Sequence, residues 1–234
     1  MIKQIVTTSL LAASLFGAQS EIVSHAELGY VGTSGNTQTQ TFSFDGNAEK
    51  KVDKHAFILK AEAAYTENGN EVSKRKFQTE LGYDYRVTEK FAFSYIAGYK
   101  RDTFTGYKYE TYTGPGAKYF AIEEESQSLT LSVNAFYYRE MPLVSSLEEY
   151  SLVKTQGDYS LKITPTLKFI QELSYSMSFE NMDNYFVDTK TAFTSKISDI
   201  LSAGISYKLN YVNLVPAGIH HEDTTLAFNM IIDY

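Results

Sequence analysis

The chain has 234 residues, with 19 Tyr and 15 Phe but no Cys and no Trp, and a formal net charge of −7. The lack of Cys excludes a disulfide scaffold, and the acidic balance, without a basic patch, argues against a nucleic-acid partner. The mean hydropathy of −0.27 does not exclude a transmembrane barrel, because its strands turn one face to lipid and the other to a polar lumen.

The first twenty residues have the pattern of an export signal. A basic residue precedes an apolar run over 5–16, and the small residues Ala18 and Ser20 suit the −3 and −1 positions of a cleavage site. The run is shorter than the roughly 20 apolar residues that a spanning helix needs. The sequence therefore predicts a signal peptide over 1–20, cleaved near Ser20, followed by the mature chain 21–234.

The mature chain opens with a predicted β-hairpin. Leu28 and Tyr30 share one face of a first strand, Phe42 and Phe44 share one face of a second, and Gly, Ser, Thr and Asn residues lie between them. Glycine and asparagine tolerate the positive φ of a tight reversal. A phosphate-binding glycine loop is the alternative, but the spacing matches no nucleotide fingerprint and no helix follows.

Alternation of apolar and polar residues continues along the rest of the chain. It is clearest from Leu167 to Phe179, where Lys, Glu and Ser residues occupy the second face. Alternation of this length predicts strands with one apolar face. Similar segments lie at 57–65, 77–85, 91–99, 129–137, 201–209 and 226–234.

Short polar turns and mostly longer loops alternate between these segments. Turns are predicted near 50–54, 87–90, 123–126, 162–166 and 198–199, and loops at 33–37, 67–73, 105–111, 140–149, 180–185 and 212–223. Together they join twelve strands of about 9 to 13 residues, near the length of a tilted membrane strand. A secreted β-sandwich or lipocalin-like barrel is the alternative, but its strands are mostly about 5–6 residues long. The prediction is an all-β fold, a transmembrane antiparallel β-barrel of about 12 strands over 21–234.

Three stretches carry a resemblance to a known family. They are Leu28-Gly29-Tyr30 with Thr33-Ser34-Gly35-Asn36-Thr37, Gly114-Pro115-Gly116-Ala117-Lys118-Tyr119, and Leu129 through Tyr138 with Glu140. On these stretches the chain resembles the salt-induced outer membrane protein family, a bacterial domain family of unknown function. It departs from that family in Ala117, where a further glycine is common, and in lacking Trp. The resemblance implies an outer-membrane β-barrel of the Gram-negative envelope, associated with salt stress, and carries over no catalytic residues.

No residue is predicted to be catalytic, to bind a cofactor or to hold a metal. His220-His221-Glu222-Asp223 is the densest group of potential ligands. Neighbouring residues of an extended chain point in opposite directions, so we interpret this group as a solvated loop tip. Glu123-Glu124-Glu125 lacks the spaced oxygen ligands of a calcium loop and predicts a charged turn.

A cluster of tyrosines is open to two interpretations. Tyr107, Tyr109 and Tyr112 predict part of an aromatic girdle at the outer membrane interface. Stacking on sugars or on an adhesion partner is the alternative.

The predicted lumen carries charges of both signs, so strong ion selectivity is not expected. These residues could line a narrow aqueous path or pair across the barrel and close it. The many Ser and Thr residues on the same faces favour the aqueous path. The charged residues are Lys60, Glu62, Glu80, Asp84, Arg86, Lys100, Lys154, Asp158, Lys168, Glu172, Lys190, Lys196 and Lys208.

We therefore expect an outer-membrane barrel with a structural or passive, porin-like role for small solutes and no enzymatic activity. The alternatives are an outer-membrane hydrolase acting on lipid or peptide, for which His25 and His55 are further candidates, and a surface adhesin using the Tyr-rich loops. The expected partners are outer-membrane lipid and the barrel assembly machinery, because the last strand from Leu226 to Tyr234 resembles the signal which that machinery reads. We expect the protein to be a monomer.

Overall fold

The fold is a closed barrel of antiparallel strands. The computed structural model describes residues 22–233 except 34–38, 69–70, 103–106, 144–145 and 216–219, so the predicted signal peptide, the tip of the first hairpin and Tyr234 lie outside the described residues. The twelve described strands confirm the predicted fold class. They are β1 Ile22–Thr33, β2 Thr39–Val52, β3 His55–Asn68, β4 Glu71–Arg86, β5 Phe91–Asp102, β6 Tyr107–Glu123, β7 Gln127–Pro142, β8 Glu148–Lys162, β9 Leu167–Ser178, β10 Tyr185–Lys196, β11 Leu201–Val212 and β12 Glu222–Asp233.

Each strand pairs with the next in sequence, and β1 pairs with β12 to close the sheet. Closure leaves no edge strand, which is necessary in lipid because unpaired backbone groups find no water there. The closing ladder runs from His25↔Asp233 to Gly29↔Asn229 and has five residue pairs. The ladder between β1 and β2 has twelve. No helix in the described part of the chain is long and apolar enough to cross a membrane.

The strands are longer than the alternation predicted. They have 12 to 17 residues, beyond the roughly 9–11 that cross a bilayer. The predicted loop at 67–73 is therefore wrong in its extent, since β3 continues to Asn68 and β4 begins at Glu71. Hydrogen bonding between paired strands does not depend on an apolar face, so a ladder can continue into water after the alternation has ended.

The connections define two ends of the barrel. At the turn end, five connections of two to four residues occupy 53–54, 87–90, 124–126, 163–166 and 197–200. At the loop end, the connections run up to the nine residues of 213–221.

The barrel carries its apolar side chains on the outside. Leu81 is 61% exposed and Phe228 is 65% exposed, and similar residues surround the wall on every strand pair. A soluble monomer rarely exposes so large a continuous apolar surface. Small polar side chains lie inside instead, where Asn134 donates to Ser94 at 3.3 Å and Asn229 donates to Ser206 at 2.8 Å. The predicted outward position of Leu81 and Phe228 is thus correct.

Candidate functional site

A network of ion pairs on the inner face of the barrel joins strands that are not neighbours. Lys190 on β10 donates to Glu27 on β1 at 3.1 Å. Lys208 on β11 lies 3.3 Å from Asp45 on β2 and 3.9 Å from Glu62 on β3. Two strands separate β10 from β1 and β11 from β2, so each contact passes in front of two intervening strands on the inner face. The ion-pair network, as the term is used below, comprises Glu27, Lys190, Asp45, Lys208, Glu62 and Lys76, which donates to Glu62 at 3.0 Å.

Further ion pairs confirm that several of the predicted luminal charges lie on the inner face. Lys60 lies 3.4 Å from Glu80, and Lys118 lies 2.6 Å from Asp84. On much of this wall, luminal charges of opposite sign are therefore paired with each other. The network is unevenly shielded, because the side chains of Lys208 and Asp45 remain 32% and 38% exposed and those of Lys190 and Glu27 only 15% and 10%.

The inner face of β5 to β8 is different, because aromatic rings pack there. The rings of Tyr112 and Tyr138 are stacked with centroids 5.0 Å apart, and those of Tyr138 and Tyr150 with centroids 5.5 Å apart, each pair inclined by 13°. These three rings are called the aromatic stack below. Phe136 meets Tyr112 edge to face at 5.4 Å, and Leu152 and Ile96 complete the cluster.

The prediction that Tyr112 belongs to an outer aromatic girdle is wrong. Tyr112 lies opposite Gly98 in the ladder between β5 and β6, and its hydroxyl donates to Glu80 at 3.0 Å and accepts from Gln78 at 3.2 Å. A Cβ at position 98 would collide with the Tyr112 ring, so glycine is what lets the ring lie against the wall. Tyr109, by contrast, stacks on Tyr99.

Sequence reasoning also missed Phe136, Tyr138 and Tyr150. A signal was present in β7, because residues 135–138 are Ala, Phe, Tyr and Tyr and interrupt the alternation. Four consecutive apolar or aromatic residues in a strand place such side chains on both faces. The pattern thus indicated an apolar patch inside the barrel.

Three luminal carboxylates form a row across adjacent strands near the loop end. Glu110 on β6 lies opposite Glu140 on β7, which lies opposite Glu148 on β8. Glu110 and Glu140 are only 6% and 7% exposed. Lys100 forms an ion pair with Glu110, in which its Nζ lies 3.1 Å from Oε1 and 2.8 Å from Oε2. Like charges directly opposite each other destabilise a sheet, so this carboxylate row is costly.

The row borders a cavity of about 580 Å³ at the loop end, called the vestibule below. The carboxylate of Glu180 accepts hydrogen bonds from the backbone N–H of Ser151 at 2.9 and 3.1 Å and from the hydroxyl of Ser178 at 3.0 Å. These bonds, the Ser151 N–H first, lower the pKa of Glu180. The lining residues are Tyr107, Glu140, Glu148, Glu149, Tyr150, Ser178, Glu180, Asn181, Asn184, Leu214 and Val215.

The histidines are held at separate places. His221 makes a hydrogen bond through Nδ1 to the carbonyl of Val212 at 2.9 Å, and its ring stacks on Tyr211. His55 bonds the hydroxyl of Tyr83 at 2.8 Å, and His25 lies 4.0 Å from Glu27. Among the described residues, no group of three or more His, Cys, Asp or Glu side chains is arranged to hold a metal ion.

An antiparallel barrel that is closed, apolar outside and charged inside is the architecture of a transmembrane β-barrel. The chain belongs to the family described as "Protein of unknown function, DUF481", which matches residues 26–234. The match confirms the part of the resemblance that assigned the chain to a family of unknown function. No curated protein matches the chain by sequence.

Solved structures of outer-membrane proteins share the fold. An outer membrane channel from Pseudomonas putida F1 is 9% identical with a TM-score of 0.57, covering 94% of this chain and 97% of the other. The NanC porin is 9% identical with a TM-score of 0.55, covering 91% and 98%. The translocator domain of the autotransporter NalP from Neisseria meningitidis is 9% identical with a TM-score of 0.51, covering 99% and 95%. At these identities the likeness concerns the fold alone.

Proposed function

We propose that this protein is a narrow channel of the outer membrane that passes small solutes passively. The observation that carries the proposal is the charged lumen of a closed barrel, in which the side chains of Lys208 and Asp45 stay about a third exposed while they pair with each other. Charged side chains that remain exposed in a lumen can be hydrated, and a hydrated, charged wall lets ions pass along it. The porin and the channel that share this fold support the same role.

The ion-pair network would narrow this channel without sealing it. Exposed ion pairs contribute only about 0–1 kcal/mol each, so a pair such as Lys208 with Asp45 can open at little cost when a solute passes. The shielded pair of Lys190 with Glu27 is the firmer of the two.

Outer-membrane location, export and assembly are parts of the same proposal. The signal peptide over 1–20 would direct export, and the short turns would face the periplasm, as in other outer-membrane barrels. The barrel assembly machinery would recognise β12, whose outward face carries Leu226, Phe228 and Met230. The protein would then stand in lipid as a monomer. Recovery in the cytoplasmic fraction would contradict this location.

The resemblance to salt-induced proteins further leads us to propose a role in salt stress. The protein level should then rise when the external salt concentration rises. Quantitative immunoblotting of membranes from cells grown at low and high salt tests this point. An unchanged level would remove the stress association without affecting the proposed channel.

Conductance in planar bilayers tests the channel directly. Lys208→Gln removes the cation that bridges Asp45 and Glu62, so we expect larger conductance and greater preference for cations than in the unmodified protein. Lys196→Gln is the matched control, because Lys196 pairs with Asp199 in the turn rather than across the lumen. If neither the unmodified barrel nor Lys208→Gln conducts after verified insertion, the channel proposal is wrong and the barrel is structural.

A further inference from the structure

The vestibule carries more negative charge than its hydrogen bonds neutralise. Its described lining includes four glutamates and neither Lys nor Arg. Arg139 pairs with Glu149 at 2.8 Å. Glu140 and Glu180, however, accept their hydrogen bonds from the neutral groups of Tyr150, Ser151 and Ser178. A neutral donor satisfies a carboxylate without cancelling its charge, so the cavity holds a negative potential that favours cations.

A second observation, independent of the charges, is the aromatic wall of the same cavity. Tyr150, the ring at the cavity end of the aromatic stack, lines the vestibule, and Tyr107 lines the vestibule as well. Ring faces attract cations through their quadrupole, and they also provide flat apolar contact. The stack continues inward from Tyr150 through Tyr138 to Tyr112, where the rings pack against Phe136.

A third observation is the crowding of carboxylates beside the cavity. Glu110, which is only 6% exposed, forms an ion pair with Lys100, whose Nζ lies 2.8 Å from Oε2. Glu110 is the neighbour of Glu140 in the carboxylate row. The ion pair with Lys100 thus leaves a second buried carboxylate, that of Glu140, opposite Glu110. A further cation would reduce the repulsion between the two carboxylates.

We propose that the vestibule, with Tyr150 and Tyr107 in its wall, is a binding site for organic cations, meaning ammonium compounds that also carry an apolar or aromatic group. The volume of about 580 Å³ suits such a molecule, since ligand cavities measure about 300–1,000 Å³. The carboxylates take the ammonium group, and Tyr150 and Tyr107 take its apolar part. Anions are repelled, and a divalent metal would leave the aromatic surfaces unused.

This inference names the solute class of the proposed channel and rests on that function only for the claim that the bound cation permeates. Binding itself does not require conduction. The two proposals are therefore tested separately, binding with the full-length protein in detergent micelles and permeation in bilayers.

Isothermal titration with benzyltrimethylammonium chloride tests the binding site. We expect saturable binding to one site that weakens as salt is added, because the charge attraction is screened. Benzyl alcohol, which has the ring without the charge, and benzoate, which has the opposite charge, should bind at least about tenfold more weakly. Equal binding of benzoate, or binding of calcium ions without any binding of benzyltrimethylammonium, would overturn the proposal.

Variants locate the site. Glu140→Gln and Glu180→Gln should each weaken benzyltrimethylammonium binding about tenfold or more, as expected for losing one charge-assisted contact. Tyr150→Leu should weaken it while keeping an apolar side chain. Glu180→Gln is an exposed loop change, so it keeps the test decisive if the buried Glu140→Gln fails to fold.

The matched control is Glu124→Gln, which removes the same charge from the turn end. It should leave binding unchanged, and an equal loss there would show nonspecific attraction and overturn the site. If benzyltrimethylammonium binds as expected but bilayers show no conductance in any variant, the binding site stands and the channel proposal fails.

Discussion

The two sides of the lumen are held together by different forces. On β5 to β8, rings and aliphatic side chains pack around Tyr112 and Phe136. On the side where β9 to β12 meet β1 to β3, charged side chains of strands that are not neighbours pair with one another, as Lys190 does with Glu27. Dispersion contacts depend on shape and volume, whereas ion pairs depend on charge balance. The two sides should therefore respond to opposite kinds of substitution.

The aromatic side should show the largest loss, from a change of volume. Phe136→Ala removes a ring that is only 4% exposed, and we expect the free energy of unfolding to fall by about 3–5 kcal/mol. Urea unfolding in lipid vesicles measures it. Phe93→Ala is the control, because Phe93 is 47% exposed on the outer wall, where lipid can fill the space. Equal losses in the two variants would mean that the luminal cluster is not packed as a core.

On the aromatic side, even the addition of one methyl group should lower the free energy of unfolding. Gly98→Ala places a Cβ against the ring of Tyr112, and we expect a loss of about 1–3 kcal/mol from overpacking. Gly157→Ala is the matched control, since a Cβ there would meet only Leu131 at an ordinary 3.4 Å. If Gly98→Ala is no more destabilising than Gly157→Ala, Tyr112 does not depend on the glycine.

The ionic side should respond to charge instead. Glu27→Gln keeps the side-chain volume but leaves buried Lys190 without its closest carboxylate, and we expect a loss of about 1–3 kcal/mol in the unfolding free energy. Adding Lys190→Met should recover much of that loss, because the unpaired charge is removed as well. A double variant less stable than Glu27→Gln would contradict this account.

Glu172→Gln is the matched control for that prediction. Glu172 lies opposite both Lys190 and Asp158 in the ladders of its neighbouring strands. Removing the charge of Glu172 removes both its attraction to Lys190 and its repulsion from Asp158. We therefore expect a change of only about 0–1 kcal/mol, with an altered small-ion conductance. A loss as large as that of Glu27→Gln would show that Glu172 is an equal member of the ion-pair network.

The smallest expected effect is a local dependence on pH at the loop end. The Ser151 N–H lowers the pKa of Glu180 from 4.5, so the ionised form stabilises the fold. That stabilisation is present above pH 4.5 and is lost as the pH falls through the lower pKa of the folded protein. Hydrogen exchange at Ser151 should accelerate there, and Glu180→Gln should show no such change with pH. An acceleration that persists in Glu180→Gln would assign the effect to another group.

The strands and their faces could be predicted from the sequence, because alternation is a local property. Each residue of a strand points opposite to its neighbour, so Leu81 and Phe228 were placed outside before any pairing was known. The same reasoning put Lys190, Glu172 and Lys208 inside. The ends of the strands were predicted less well, as at Asn68 and Glu71, because ladder hydrogen bonds continue where the apolar pattern stops.

The tertiary structure alone decided which luminal groups meet. Glu27 and Lys190 are 163 positions apart in the chain and come together only because β12 closes on β1, which brings β1 within two intervening strands of β10. Register decided the carboxylate row of Glu110 and Glu140, and it placed Tyr112 beside Gly98 inside the wall. Contacts of this kind depend on barrel closure and on strand register, which no local pattern of residues encodes.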